Sequence, residues 1–199
     1  MSRGLTWREE RSADRESVRG MTSAVFLDRD GVINVDHGYV STWERFEFLP
    51  GVPDALRALQ DAGYLLIVVS NQSGIGRGYY CEADVESLNQ AIAQHLGSTV
   101  GVTLSEFYHC PHHPTEAEGE FRRQCDCRKP APGMIRQAVL DHGIDLKTSL
   151  LVGDKDSDIE AGRAAGVARL FKVVDSPQTA APAGDVQLVI GLSEVPGCL

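Results

Sequence analysis

Three apolar runs in this sequence stop at groups able to act as nucleophile, acid, base or ligand. "AVFL" leads into Asp28-Arg29-Asp30, "YLLIVV" into Ser70-Asn71, and "SLLV" into Gly153-Asp154-Lys155. Polar residues begin many loops, so any one junction carries little weight. Three together, supplying carboxylates, a hydroxyl and a lysine, describe a magnesium phosphoryl-transfer site. Mg²⁺ takes oxygen ligands in octahedral geometry, commonly one or two carboxylates plus phosphate and water. Asp28 and Asp154 are the candidate carboxylates. A free oxygen of Asp28 could attack phosphorus and form an aspartyl-phosphate. Asp30, two residues on, could protonate the leaving oxygen and later deprotonate the attacking water. The Ser70 hydroxyl and a nearby lysine would hold the equatorial phosphoryl oxygens, where charge stabilisation counts most.

A second chemistry-bearing stretch is "CPHHPTEAEGEFRRQCDCRKP", which holds three of the five cysteines and has no apolar rhythm. Cys110-x-His112 and Cys125-x-Cys127 form two close pairs. A Cys₃His set fits tetrahedral Zn²⁺, and with all four positions filled the metal would be structural. The competing readings are solvated thiols on a surface loop and a redox pair, but neither pair has the C-x-x-C spacing of a thioredoxin-like site. Zinc would tether both ends of a polar segment that lacks a core of its own, and so order Arg128 and Lys129. His109 and His113 are not assigned as ligands, and Cys81 and Cys198 read as isolated free thiols.

The elements that must position these groups follow from periodicity. "TSAVFLD", "YLLIVVSN", "LSEFYHC", "SLLVGD", "VARLFKVV" and "VQLVI" read as strands. "VPDALRALQDAG", "CEADVESLNQAIAQHLG", "PGMIRQAVLDHG" and "SDIEAGRAAG" carry helical spacing and each ends at a glycine. Alternation of strands and helices predicts an α/β fold with a parallel sheet covered on both faces. Ligands of such sheets bind beyond the carboxyl ends of the strands. Residues 1–20 are charged and apolar-poor and are expected to be a flexible tail. Residues 21–199 are expected to be a single domain, with the cysteine loop at 109–130 and an irregular loop at 175–186.

Composition narrows the function classes. A chain of 199 residues with 42% hydrophobic content and a net charge of -9 has enough apolar residues for one core. The negative charge disfavours non-specific contact with nucleic acid or acidic lipid. No run approaches a membrane span and the N-terminus lacks a signal-peptide core, so a cytoplasmic protein is expected.

"FLDRDGVIN", "VVSN" and "VGDKDSD" resemble the motifs of the haloacid dehalogenase (HAD) superfamily. "LDRDGVINVDHGYV", "SNQSGIGRG", "CPHHP…CDCRKP" and "GDK" resemble, more narrowly, the D-glycero-D-manno-heptose-1,7-bisphosphate 7-phosphatases, over about residues 23–195. The resemblance implies a Rossmann-like HAD fold with a minimal cap. It implies removal of the 7-phosphate of a heptose bisphosphate, on the route to nucleotide-activated heptose for bacterial surface polysaccharide. It makes Asp28 the nucleophile and Asp30 the acid/base, with Mg²⁺ on Asp28, the Asp30 carbonyl and Asp154. Ser70 and Lys129 would steady the phosphoryl group. Asp36, His37, Gly38, Tyr39, Asn71, Gln72, Ser73, Arg128 and Lys155 fall at substrate-contacting positions. Asp158 could buttress the site and ranks below Asp154. Histidinol phosphate is the nearest competing substrate, and a zinc-bearing binding module with a relic phosphatase fold is the competing class. The small cap suits a monomer acting on a small molecule.

Overall fold

The computed structural model describes residues 21–176 and 184–199. The expected tail at 1–20 and most of the expected loop at 175–186 lie outside the described residues. Six strands form one parallel sheet: β1 (Ala24–Leu27), β2 (Leu65–Asn71), β3 (Glu106–Cys110), β4 (Leu150–Gly153), β5 (Arg169–Val173) and β6 (Val186–Val189). Their spatial order is β3-β2-β1-β4-β5-β6. The chain therefore builds outward from β1 in one direction and then returns to its other side at β4. The crevice at that reversal, above β1 and β4, is where an open α/β sheet offers a binding site.

The central strands of such a sheet bury both faces, and β1 does so with period two. Val25 and Leu27 join Leu56 and Leu59 of α1 (Val52–Asp61) and Leu88, Ile92 and Leu96 of α3 (Glu82–Val100). Ala24 and Phe26 join Met134, Ile135 and Ala138 of α4 (Gly133–His142) and Ile159 and Ala161 of α5 (Asp156–Ala165). All four residues of β1 are fully buried, which is why "AVFL" shows no polar alternation. A single helical turn, α2 (Ser73–Gly76), follows β2 directly.

Every strand and helix expected from the sequence is present, with one boundary moved. α3 was expected to stop at Gly97 and instead continues to Val100, ending at Gly101 with a left-handed φ of 66°. The end of the helix is set by the glycine that adopts the capping conformation, and an interior glycine costs only about 1 kcal/mol. The Ser98 and Thr99 hydroxyls both donate to the His95 carbonyl, which suits the extra turn. Among the described residues no helix is long and apolar enough to cross a membrane.

Candidate active site

β1 and β4 run in register, Leu27 beside Val152, so Asp28 and Asp154 emerge from adjacent strand ends. The chain must turn at once after Asp30, and Gly31 permits it with φ 90°. Its lack of a side chain also has a spatial purpose: a Cβ there would lie 2.5 Å from Asp154 Oδ2. Asp28, Asp154 and Asp158 bring carboxylate oxygens within 4.8 Å of one another.

Three carboxylates packed together need a counter-charge, and Lys129 supplies it. Its ammonium donates to Asp28 Oδ1 at 2.8 Å and to the Val69 carbonyl at 2.7 Å, and pairs with Asp158 Oδ1 at 2.7 Å. Burial alone would lower the lysine's pKa, but Asp28 and Asp158 outweigh it and hold it charged. Asn71 at the end of β2 fixes the backbone of Lys129 from both sides, donating to its carbonyl (3.1 Å) and accepting from its N–H (3.0 Å). Asp154 has only a looser partner, the half-exposed Lys155, whose ammonium lies 3.9 Å from its Oδ2. Its Oδ1 is buried and unpaired, and burial together with the Asp28 charge pushes its pKa up to about 7. An orphaned carboxylate oxygen beside a second carboxylate is what an oxygen-seeking dication would satisfy, so these residues fit Mg²⁺.

Asp30 is held separately. Arg29, Asn34 and Gln72 all donate to its carboxylate, at 3.0–3.2 Å, 3.0 Å and 3.0 Å. Above it opens a cavity of about 560 Å³ lined by Asp30, Asp36, Gly38, Tyr39, Asn71, Gln72, Ser73, Arg128, Lys129 and Lys155 among others. A neighbouring hollow of about 580 Å³ shares Asp36 and is bordered by Gly31 and Asp154. Most residues expected at the substrate therefore share one cavity. Two do not line it. Ser70 is buried and its hydroxyl accepts from Gln72 Nε2 at 2.8 Å. The exposed His37 ring pairs with Glu47 at 3.2 Å.

The cysteine segment meets the sheet where Asn71 pairs with Cys110 in register. Cys110, His112, Cys125 and Cys127 present ligand atoms within 4.8 Å of one another. Their separations are 3.1 Å for Cys110–Cys127, 3.2 Å for Cys125–Cys127, 3.6 Å for Cys110–Cys125, and 3.3 Å from His112 Nδ1 to Cys127. Zn–S bonds of about 2.3 Å in a tetrahedron put sulfurs about 3.8 Å apart, so the cluster is slightly contracted around a zinc-sized centre. All three thiols are free. Burial pushes the Cys110 and Cys127 thiols up, a cost that a dication at the centre would offset. Arg128, next in the chain, donates to the His112 carbonyl at 3.1 Å. The clamp is thus tied directly to the residues entering the cavity.

Three features escaped the sequence reading: the pairing of Asp158 with Lys129, the burial of Arg29 against Asp30, and the Gln72–Asp30 contact. Only the first had a signal, since Asp158 stands four residues after Asp154 and was expected to buttress the site.

Residues 126–172 match the HAD-hydrolase-like family model. The D-glycero-beta-D-manno-heptose-1,7-bisphosphate 7-phosphatase of Haemophilus ducreyi is 51% identical over 144 residues, 72% of this chain and 79% of its own. The protein of the same name from Escherichia coli K12 is also 51% identical over 144 residues, 72% of this chain and 75% of its own. Among solved structures, D,D-heptose 1,7-bisphosphate phosphatase from B. bronchiseptica, complexed with magnesium and phosphate, superposes with a TM-score of 0.76. It is 26% identical, with 88% of this chain and 97% of that one covered. A HAD-like phosphatase from Mesorhizobium loti superposes with a TM-score of 0.79 at 33% identity, covering 89% and 85%. With half of the residues identical over 144 aligned positions, most of either chain, this chain belongs to the D-glycero-beta-D-manno-heptose-1,7-bisphosphate 7-phosphatase family of HAD hydrolases.

Proposed function

We propose that the protein removes the 7-phosphate of D-glycero-beta-D-manno-heptose 1,7-bisphosphate, in the supply of nucleotide-activated heptose for lipopolysaccharide core or other surface polysaccharide. The observation that carries this reading is the Asp28 carboxylate, held at 2.8 Å by a buried Lys129 and flanked by the unpaired oxygen of Asp154. An oxygen of Asp28 attacks phosphorus, the bond from phosphorus to the C7 oxygen breaks, and Asp30 gives its proton to that oxygen. Water then attacks the aspartyl-phosphate as Asp30 takes its proton, and the phosphorus–Asp28 bond breaks to release phosphate. Mg²⁺, held by Asp28, Asp154 and the Asp30 carbonyl, would supply charge neutralisation at the phosphoryl oxygens. As Asp28 becomes esterified, the Lys129 N–H that it held turns to those oxygens, and the Ser70 hydroxyl donates beside it. Arg128 and Lys155 give the cavity cationic donors, which suits a substrate with a second phosphate. Asp36, His37, Gly38, Tyr39, Asn71, Gln72 and Ser73 complete the substrate-facing set.

Cys110, His112, Cys125 and Cys127 hold Zn²⁺ that performs no chemistry and fixes the Arg128-Lys129 segment. Residues 21–199 act as one catalytic domain, as a monomer in the cytoplasm, where reducing conditions keep the thiols available. The test is kcat/KM for both heptose bisphosphate anomers beside histidinol phosphate. A preference for the beta bisphosphate is expected; a clear preference for histidinol phosphate would overturn the assignment.

A further inference from the structure

Gln72 has a buried side-chain amide with three polar neighbours: Asp30 Oδ2 at 3.0 Å, Ser70 Oγ at 2.8 Å and Tyr80 Oη at 2.8 Å. Asp30 already accepts from the Arg29 guanidinium and the Asn34 amide, and Gln72 joins them as a third donor, so it is the amide NH₂ that faces Asp30. The amide carbonyl then faces Tyr80, and that carbonyl can only accept. Tyr80 must therefore be the donor. Burial pushes the phenol up to about 12, so the donor proton stays in place across the working range. The ring itself is fixed, because Gly74 lies against it so closely that a Cβ would sit 2.3 Å from two of its carbons.

We propose that Tyr80 is a positioning residue for the reaction: its hydroxyl locks the orientation of the Gln72 amide, which sets the geometry of Asp30 and the hydrogen-bond polarity of Ser70. With the NH₂ group facing Ser70, the serine oxygen accepts and its own proton is left to point at a phosphoryl oxygen. With the amide reversed, the carbonyl would confront the Asp30 carboxylate and draw the Ser70 proton away from the substrate. Both catalytic groups are thus governed through one amide, and the amide through one phenol. Removing that hydroxyl leaves the amide without the partner that distinguishes its two orientations.

The proposal rests on the roles given above to Asp30 and Ser70, and its test avoids the sugar assignment by using para-nitrophenyl phosphate. Tyr80→Phe keeps the ring and deletes only the donor. It is expected to lower kcat by about tenfold, with KM within about twofold and a melting temperature lowered by only a few degrees, as loss of one buried hydrogen bond implies. In a Gln72→Met background, the same change is expected to cause no further loss, because its effect passes through the amide. Exchange of the Gln72 side-chain amide protons, followed by NMR, should be at least about tenfold faster in Tyr80→Phe; this readout needs no turnover and no second substitution. An unchanged kcat, a rise in KM alone (the hydroxyl then touching substrate), a full additional loss in the double variant, or unchanged amide exchange would each overturn the proposal. Wild-type protein without Mg²⁺-dependent aryl phosphatase activity would instead refute the phosphatase reading, with the amide exchange still deciding the Tyr80 link.

Discussion

Lys129→Met tests the electrostatic core of the site. The ammonium is buried and lies 2.8 Å from Asp28 and 2.7 Å from Asp158. At an effective dielectric near 20, each contact is worth about 6 kcal/mol of Coulomb attraction, and much of that is offset by the cost of burying the charges. Removing one partner from a buried pair typically destabilises by about 3–5 kcal/mol, because the remaining charges are left uncompensated. For a chain of this size that is a fall in melting temperature of about 6–20 °C. The loss should depend on pH in a definite direction. Without Lys129, Asp158 joins Asp154 in holding its proton to higher pH in the folded chain than in the unfolded one, as Asp154 already does with its pKa of about 7. The folded state then binds more protons between about pH 4 and 7, and stability falls as pH rises through that window. The variant's deficit against wild type should be largest above pH 7 and shrink towards pH 5. Thermal melts across this range, with and without excess Mg²⁺, measure it, and Mg²⁺ should recover part of the deficit above pH 7. A deficit below about 0.5 kcal/mol, or one independent of both pH and Mg²⁺, would refute the reasoning.

Further outcomes follow from the same geometry. Since protonated Asp154 cannot ligate, Mg²⁺ affinity measured by calorimetry should weaken as pH falls below about 7, approaching tenfold per unit; constant affinity from pH 5.5 to 8 would count against Asp154 as a ligand. Gly31→Ala would place a methyl 2.5 Å from Asp154 Oδ2 at a left-handed φ, so both Mg²⁺ affinity and kcat should fall by at least about tenfold. Cys127→Ser should lose zinc, seen by elemental analysis, and lower both melting temperature and kcat/KM by loosening Arg128 and Lys129. A zinc-free variant with unchanged turnover and stability would show that the clamp has no part in the site.

Much of this was legible because the sheet is parallel and buried. Strands covered on both faces must be continuous apolar runs, so "AVFL", "YLLIVV" and "SLLV" announce themselves, and the polar groups after them fall at one sheet edge. The cysteine pairs were legible for another reason: metal ligation imposes spacing on residues that otherwise have none. What stayed hidden depends on contacts between irregular segments. Asp158 was expected to buttress the site, but only the fold reveals how: Lys129, 29 residues earlier, ends against it. Arg29 received no role from the sequence, yet it is buried, with its guanidinium held by the Val40 carbonyl and Asp30. His37 sits in a motif whose neighbours line the cavity, but a bridge between Asn34 and Phe48 brings its loop beside Glu47, which takes the ring. The Tyr80–Gln72–Asp30 chain joins three segments with no common period, so no pattern in the sequence marks it.

The central claim is that Asp28 removes the phosphate at C7 and leaves the one at C1. A ³¹P NMR time course on D-glycero-beta-D-manno-heptose 1,7-bisphosphate reads both phosphorus atoms at once. With Mg²⁺, the C7 signal should give way to inorganic phosphate while the anomeric signal persists, and Asp28→Asn should show no change. Loss of the anomeric phosphate first, or continued release by Asp28→Asn, would contradict the account.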